Sequence, residues 1–331
     1  MKSTMKKSIL TLATAAALFG LSGQASASVH GASAANLTDL AILINGANVV
    51  IDEYNFTTTA TANLNNEATD QGETNTCGTI GGAPPCPVTS PVLQSVANGT
   101  GGTKDRAYQD FSLFGPGTDN YANSGAAINT AQLVQGIPTN ISAISEAEIQ
   151  GDGVANANTN VNSETQFSLT FNVQEGATFV LLFDADPFLQ VDVDTDNALA
   201  FSATASMSAT FLLTSNNGTQ VEWDPDGQTG AGNREFDECT GVTCVENFDA
   251  NDLTLTRTLP GSPNPNTVTY DPASGFYQIT LTGLAAGSYT TTLTQTTFAR
   301  VEQAVPEPGV LALMGIGLLG GVLGGRRRKK S

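Results

Sequence analysis

The sequence has little of what histidine-based catalysis or nucleic-acid binding requires. Its 331 residues include one histidine, and 13 Lys+Arg stand against 31 Asp+Glu. A single histidine excludes zinc sites that need two or three, such as HExxH and Cys₂His₂. The formal net charge of -18 argues against a nucleic-acid partner, because phosphate binding needs clustered lysine and arginine. There is also no GxSxG motif, and His30 lies near the N-terminus, a poor place for a Ser/His/Asp triad. We therefore expect a protein that is not an enzyme.

Residues 1–27 have the three-part layout of a secretory signal peptide. Three lysines precede an apolar run at 9–21, and Ala25-Ser26-Ala27 supplies the small residues that signal peptidase reads. We predict that signal peptidase removes this segment, so that the exported chain begins at Ser28.

Residues 305–331 also have three parts. Pro306, Glu307 and Pro308 precede an uncharged stretch at 309–325, and the basic cap comprises Arg326, Arg327, Arg328, Lys329 and Lys330. The apolar part, 310–325, is slightly shorter than the roughly 17 to 25 residues of most membrane spans, but flanking basic side chains that snorkel can compensate. The cap places that end in the cytoplasm by the positive-inside rule. We expect one short transmembrane helix.

This C-terminal arrangement resembles the PEP-CTERM sorting signal of Gram-negative bacteria. The resemblance implies that residues 306–308 are recognised by exosortase, a membrane cysteine protease that cuts near the motif. It also implies transient anchoring in the inner membrane, followed by release or transfer to the cell surface, outer envelope or exopolysaccharide (biofilm) matrix. An ordinary C-terminal membrane anchor is the alternative.

The exported part is more acidic than the whole chain. Without residues 1–27 and 306–331, five basic residues remain against 30 acids, which gives a net charge of −25. Such a charge keeps a protein soluble and repels anionic membranes and nucleic acid.

The four cysteines form two local pairs, Cys77 with Cys86 and Cys239 with Cys244. Sequence alone permits three pairings. Export to an oxidising compartment favours disulfides over metal ligation, and the short loops favour the two local bridges.

Alternation of apolar and polar residues with a period of two is frequent after Ser28, whereas helical periodicity is scarce. Residues 167–173 (FSLTFNV) have the pattern of a half-buried strand, and the apolar run 178–183 is typical of a central strand. Further strands are predicted at 48–58, 253–258, 276–281 and 289–298, and turns at 174–176, 216–218, 224–227 and 285–287. This pattern predicts an all-β fold, an antiparallel β-sandwich or jelly roll.

We expect one exported β-rich ectodomain over residues 28–304. The polar segment 63–102 is interpreted as a long surface excursion. Alternatively, it separates a small N-terminal unit from a main sandwich at 145–303, with a boundary near 102–145.

Two acidic clusters are candidate calcium sites. Asp192, Asp194 and Asp196 alternate along one predicted strand, so their carboxylates would share one face about 6.5 to 7 Å apart. Oxygen ligands at such spacing suit Ca²⁺. The segment does not fit an EF-hand. Counted from Asp192 as position 1, position 12 is Ala203, where the loop needs a glutamate. The alternative is a solvated edge strand that discourages aggregation.

The second cluster comes closer to a calcium loop. Counted from Asp224, acids stand at positions 1, 3 and 12 (Asp224, Asp226 and Glu235), but Thr229 occupies position 6, where the loop needs glycine. A glycine-rich loop with incidental acids is the alternative. Apart from calcium at these two clusters, no cofactor is expected.

Two functions follow as hypotheses. The first is a structural or adhesive protein of the cell surface or extracellular polysaccharide. The second is a carbohydrate-binding module, or a carboxylate-dependent glycoside hydrolase, acting on matrix polysaccharide. For the second, Trp223 with Tyr270, Tyr277 or Tyr289 is a possible sugar-stacking platform, although core positions are the simpler interpretation. Two acids about 5 to 10 Å apart in an aromatic-lined cleft would favour a hydrolase.

Overall fold

The computed structural model describes eleven stretches of the exported chain. They are residues 28–49, 51–64, 67–77, 95–98, 112–117, 120–129, 140–150, 158–194, 200–228, 236–260 and 266–304. The predicted signal peptide and sorting tail lie outside them. The described stretches contain no helix long and apolar enough to cross a membrane, and the predicted span at 310–325 is not part of them.

The described residues form seventeen strands in two sheets. Sheet A consists of β1 (Ser28–Ile44), β2 (Ala47–Asn48), β5 (Ser95–Asn98), β6 (Tyr121–Asn129), β7 (Asn140–Gln150), β9 (Ala177–Asp194), β13 (Thr243–Asp249), β15 (Asn266–Tyr270) and β16 (Gly275–Leu284). Sheet B consists of β3 (Ile51–Leu64), β4 (Glu67–Cys77), β8 (Asn158–Val173), β10 (Ala200–Ser215), β11 (Gln220–Trp223), β12 (Glu238–Thr240), β14 (Thr256–Pro260) and β17 (Gly287–Ala304).

All described strand pairs are antiparallel. Sheet A runs β13-β16-β9-β1-β7-β6-β5, with β15 also beside β9 and β2 beside β1. Sheet B runs β12-β11-β10-β17-β8-β3-β4, with β14 beside β10. The two sheets pack as a sandwich, which confirms the predicted all-β antiparallel class.

The predicted strands and turns lie largely where the alternation placed them. Residues 167–173 end β8, and the run at 178–183 lies in β9, which pairs with β1, β15 and β16. The prediction of a surface excursion at 63–102 is wrong for β4 and β5, which pair with β3 and β6. Apolar–polar alternation did not reveal these two strands, because an edge strand need not bury a regular apolar face.

Aromatic side chains fill one part of the core. Phe183 stacks on Tyr277 with ring centroids 4.9 Å apart and contacts Trp223 at 6.2 Å. Tyr289, like Trp223 and Tyr277, is completely buried. These three residues are therefore core residues, and the suggested sugar-stacking platform is not formed by them.

Small residues bring the two sheets into close contact around β1. The Ser33 hydroxyl donates to the Ser206 carbonyl oxygen of β10 at 2.8 Å. The Ser145 hydroxyl of β7 donates to the Thr297 carbonyl of β17 at 2.9 Å. A serine side chain is too short to cross the roughly 10 Å that usually separates stacked sheets. The sheets therefore approach more closely here, and Gly31 lies in the narrow part.

The two ends of the sandwich's chain lie at the same end of the fold. Ser28 of β1 pairs with Asp194 of β9, and Ala304 of β17 pairs with Ala200 of β10. Only residues 195–199 connect β9 to β10. We call this end, defined by Ser28, Asp194, Ala200 and Ala304, the terminal pole.

A disulfide closes the turn at which the chain passes from sheet B to sheet A. Cys239 of β12 is bonded to Cys244 of β13. This confirms one predicted bridge. Cys77 ends β4, but Cys86 lies outside the described residues, so that bridge remains a prediction.

Replacing Gly31 tests the close contact between the sheets. A Cβ at this position would lie 3.3 Å from the Thr204 carbonyl oxygen and 3.5 Å from Val301 Cγ1. We expect Gly31→Ala to lower the free energy of unfolding by about 1 kcal/mol and Gly31→Val by about 3 kcal/mol, because overpacking forces the backbones apart. Denaturant unfolding of the full chain measures both.

Ala41→Val is the matched control, because Ala41 lies on the same strand but is only partly buried. We expect a change within about 0.5 kcal/mol there. Equal stability of Gly31→Val and wild type would show that the sheets are not held in close contact.

Candidate functional site

The sorting residues begin just after the last described strand. Strand β17 finishes at Ala304. Pro306, Glu307, Pro308 and the basic cap at 326–330 lie outside the described residues, so no described strand pairing involves them. Their role therefore depends on sequence and on their position directly after the last strand.

Of the first predicted calcium cluster, the structure describes one side chain. Asp192 lies on the outer face of sheet A and accepts a hydrogen bond from the Thr267 hydroxyl of β15. Asp194 ends β9, and Asp196 lies outside the described residues. The structure therefore does not show these three carboxylates together.

Asp192 belongs to a row of polar side chains across the outer face of sheet A. The register places His30 of β1 between Asp192 of β9 and Glu148 of β7, and Tyr121 of β6 beside Glu148. His30 Nε2 lies 3.1 Å from Glu146 Oε1. His30, Glu146 and Glu148 are essentially inaccessible to solvent.

The two buried glutamates hold the segment 112–117 against this face. Glu146 accepts the backbone N–H groups of Phe114 at 2.8 Å and Gly115 at 2.7 Å. Glu148 accepts the N–H of Gly117 at 2.9 Å from each carboxylate oxygen. Buried charges require such partners, so the acids and the segment stabilise one another.

These contacts determine the ionisation of Glu146. Burial favours the neutral acid, but the hydrogen bond and charge of His30 and the two backbone N–H donors outweigh it, so the pKa of Glu146 is lowered. Its contribution to stability is present above the ordinary glutamate pKa and is lost as the pH falls through the lowered value. Glu146 and Glu148 are thus a structural pair, closed to any polymeric substrate.

The second predicted cluster gathers around a buried acid that sequence reasoning missed. Asp249 Oδ2 accepts the N–H groups of Asp226 and Gly227, each at 2.8 Å. Asp226 forms an isolated antiparallel bridge with Asp252. Gly227 has a φ of +78°, and a Cβ there would lie 2.6 Å from the Asp252 nitrogen, so this predicted turn requires glycine.

Asp249 is held in an environment that resists its ionisation. Burial raises its pKa to about 6, despite the two N–H donors, and the charges of Asp226 and Asp252 add to the effect. The second oxygen, Oδ1, is buried with no hydrogen-bond partner among the described residues.

The hydrogen bonds that Asp249 accepts cap the loop at Asp226 and Gly227. Within the described residues, no group of three or more His, Cys, Asp or Glu side chains could hold a metal ion. Glu235, the acid at position 12 of the predicted loop, lies outside them. Calcium binding by Asp224, Asp226 and Glu235 remains a prediction.

No local spacing marked the residues that the structure brings together. Glu146 lies 116 positions from His30, and Asp249 lies 23 positions from Asp226. The one available signal was that Glu146 and Glu148 alternate with apolar residues within a β pattern.

Asp249→Asn should reduce the pH dependence of stability. Because the folded-state pKa lies above the unfolded value, ionisation destabilises the fold, and the free energy of unfolding falls as the pH rises from about 4 to above 6. Asparagine retains the oxygen acceptor without the charge. We expect the variant to match wild type near pH 4 and to exceed it at pH 8 by about 1 to 2 kcal/mol, allowing for screening by water. Urea unfolding at both pH values measures the difference.

Asp271→Asn makes the same change of charge at an exposed position and serves as control. If the free energy of unfolding of Asp249→Asn still changes between pH 4 and pH 8 as much as that of wild type, Asp249 is not the source of the pH dependence.

Comparison with known proteins adds one functional match. Residues 304–329 match the family model of the PEP-CTERM protein-sorting motif. No curated protein sequence matches the chain significantly. Among solved structures, a chain described as "Structure of infectious bursal disease virus Gx strain" is 11% identical and aligns over 89% of this chain and 87% of its own, with a TM-score of 0.09. That score is too low to support a shared fold.

The motif match coincides with the residues that follow the last strand. It begins at residue 304, where β17 ends, and covers the Pro-Glu-Pro sequence and most of the basic cap. The chain thus carries a PEP-CTERM protein-sorting motif, and this motif supports an exported protein that is sorted by exosortase.

Proposed function

We propose that the protein has a structural or adhesive role at the cell surface or in the extracellular polysaccharide matrix of a Gram-negative bacterium. The observation that carries this proposal is the junction at residue 304, where the last described strand of the sandwich meets the sorting motif. Cleavage in or near residues 306–308 would release the sandwich without breaking any described strand pairing.

The junction also orients the sandwich before cleavage. Residues 305–309 separate β17 from the apolar stretch at 310–325. So short a connection spans about 20 Å at most. The terminal pole therefore faces the inner membrane while the tail is anchored, and the opposite end of the sandwich points away.

The outer face of sheet B suits contact with a hydrated polymer. Hydroxyl and amide side chains form hydrogen-bonded rungs between neighbouring strands. The rungs include Thr170 with Thr290 at 3.2 Å, Gln166 with Thr294 at 3.1 Å, and Thr204 with Thr258 at 3.2 Å. These rungs are polar and uncharged, and the charged side chains Glu164, Arg300 and Glu302 share the face with them.

Carbohydrate binding is the second candidate function, favoured by an exposed aromatic pair on sheet A that is described below. The hydrolase form of this candidate lacks support from Glu146 and Glu148, because segment 112–117 covers both carboxylates.

Replacing Pro306-Glu307-Pro308 by three alanines tests the sorting step. Without the recognised residues, we expect an uncut form that stays in the inner membrane with its basic cap attached. Intact-mass measurement on membrane, surface and medium fractions would show it.

Val305→Ala, next to the Pro-Glu-Pro sequence, is the control and should be processed normally. A triple-alanine variant that reached the surface or medium at the normal mature mass would contradict the sorting mechanism. If the wild-type protein is processed normally but is found in no matrix or surface fraction, the proposed role is contradicted and the sorting mechanism is not.

A further inference from the structure

Three large apolar side chains are exposed in the described part of the chain, and they lie together. Val245 is 44% exposed, Phe248 52% and Phe276 37%. All three lie on β13 and β16, neighbouring strands at one edge of sheet A. We call these residues the aromatic strip. Exposed apolar residues scattered singly need no explanation, but a cluster with a polar rim marks an interaction surface.

A β-bulge creates the strip. The register between β13 and β16 shifts between Glu246 and Phe248, which leaves Asn247 as the extra residue. Without the shift, alternation would point Phe248 into the core. With it, Phe248 faces outward beside Phe276, with ring centroids 5.3 Å apart, while Asp249 points inward. Bulges commonly re-aim side chains in this way.

Neutral polar side chains lie beside Phe248 and Val245. Asn247 Oδ1 accepts hydrogen bonds from the Thr280 hydroxyl at 2.6 Å and from Gln278 Nε2 at 3.4 Å. In the register, Phe248 lies opposite Gln278, and Val245 lies opposite Thr280. The one charged residue directly opposite a member of the strip is Asp184, across from Phe276.

We propose that the aromatic strip binds a neutral polysaccharide. The apolar faces of sugar rings stack on flat aromatic side chains, and neighbouring amides and hydroxyls hydrogen-bond sugar hydroxyls. Charge selects among partners. A net charge of −25 repels anionic polysaccharide, anionic membrane and a second copy of this chain, but it exerts no net force on a neutral polymer.

The position of the strip fits this partner and rests on the proposed surface role. Phe276 pairs with Asp184, ten residues along β9 from Asp194 at the terminal pole. Ten residues of strand span about 33 Å. The strip therefore lies well away from the membrane-facing end, where a matrix polymer can reach it before and after cleavage.

The test separates ring stacking from general apolar contact. Native affinity electrophoresis of the full chain, in a zwitterionic detergent without a sugar head group, would use gels containing hydroxyethyl cellulose, amylose, dextran or the polyanion alginate. We expect at least one neutral polymer to retard wild type and alginate not to do so. Phe248→Leu/Phe276→Leu should weaken the retardation about tenfold, since leucine keeps apolar area but lacks a flat ring.

Phe248→Tyr/Phe276→Tyr is the matched control and should retain binding. Thermal unfolding should show equal midpoints for both double variants, because the positions are exposed. Retention of binding by the leucine variant, or no retardation of wild type by any neutral polymer, would overturn the proposal. So would a wild-type dimer in sedimentation velocity that the leucine variant abolishes, since the strip would then join two copies.

Fractionation of cells separates this proposal from the proposed function. If the leucine variant still associates with the matrix, the aromatic strip is not needed for that association, and the proposed surface role stands without it. If the purified protein binds polymer but is never found in matrix or surface fractions, the binding activity of the aromatic strip stands and the proposed surface role is contradicted.

Discussion

The close contact of the two sheets around β1 is the constraint on which the rest of the fold depends. Hydroxyl groups of Ser33 and Ser145 reach backbone carbonyls of the opposite sheet, and Gly31 leaves room for the approach. On its other face, β1 is covered through the buried glutamates that bind segment 112–117. Residues 29–35 of the strand that follows the predicted signal peptide are therefore buried on both faces, and the strand is paired on both edges.

The acidic residues of this protein divide into two physical classes. Most acids whose side chains the structure describes are at least partly exposed, and their charge keeps the exported chain soluble. Glu146, Glu148 and Asp249 are buried and accept backbone N–H groups, so they organise loops. Buried carboxyl groups behave differently at the two places. The ionised form of Glu146 is favoured because His30 lies beside it, whereas ionisation of Asp249 is disfavoured by burial and by the further acids around it.

Period-two alternation predicted the sandwich because its strands bury one face. It found β8, β9, β16 and β17, and the sorting tail was recognisable because its three parts follow one another directly. Alternation failed at β4 and β5, whose sequences lack a regular alternation of apolar and polar residues. It could not find the contacts of Glu146 and Asp249, because these depend on strands that are distant in sequence. The aromatic strip depends on a bulge, which reverses the direction that alternation assigns to Phe248.

The central place of β17 in sheet B governs when the protein can finish folding. Export delivers the chain from its N-terminus, yet β8 and β10 both wait for β17 to fill the gap between them. Contacts between segments so distant in sequence form slowly. Since β17 directly precedes the sorting motif, the last strand of the sandwich and the cleavage signal emerge from the export machinery together. Until that moment sheet B is two separate halves, and an export channel that stalls before residue 287 would leave both facing edges open to aggregation.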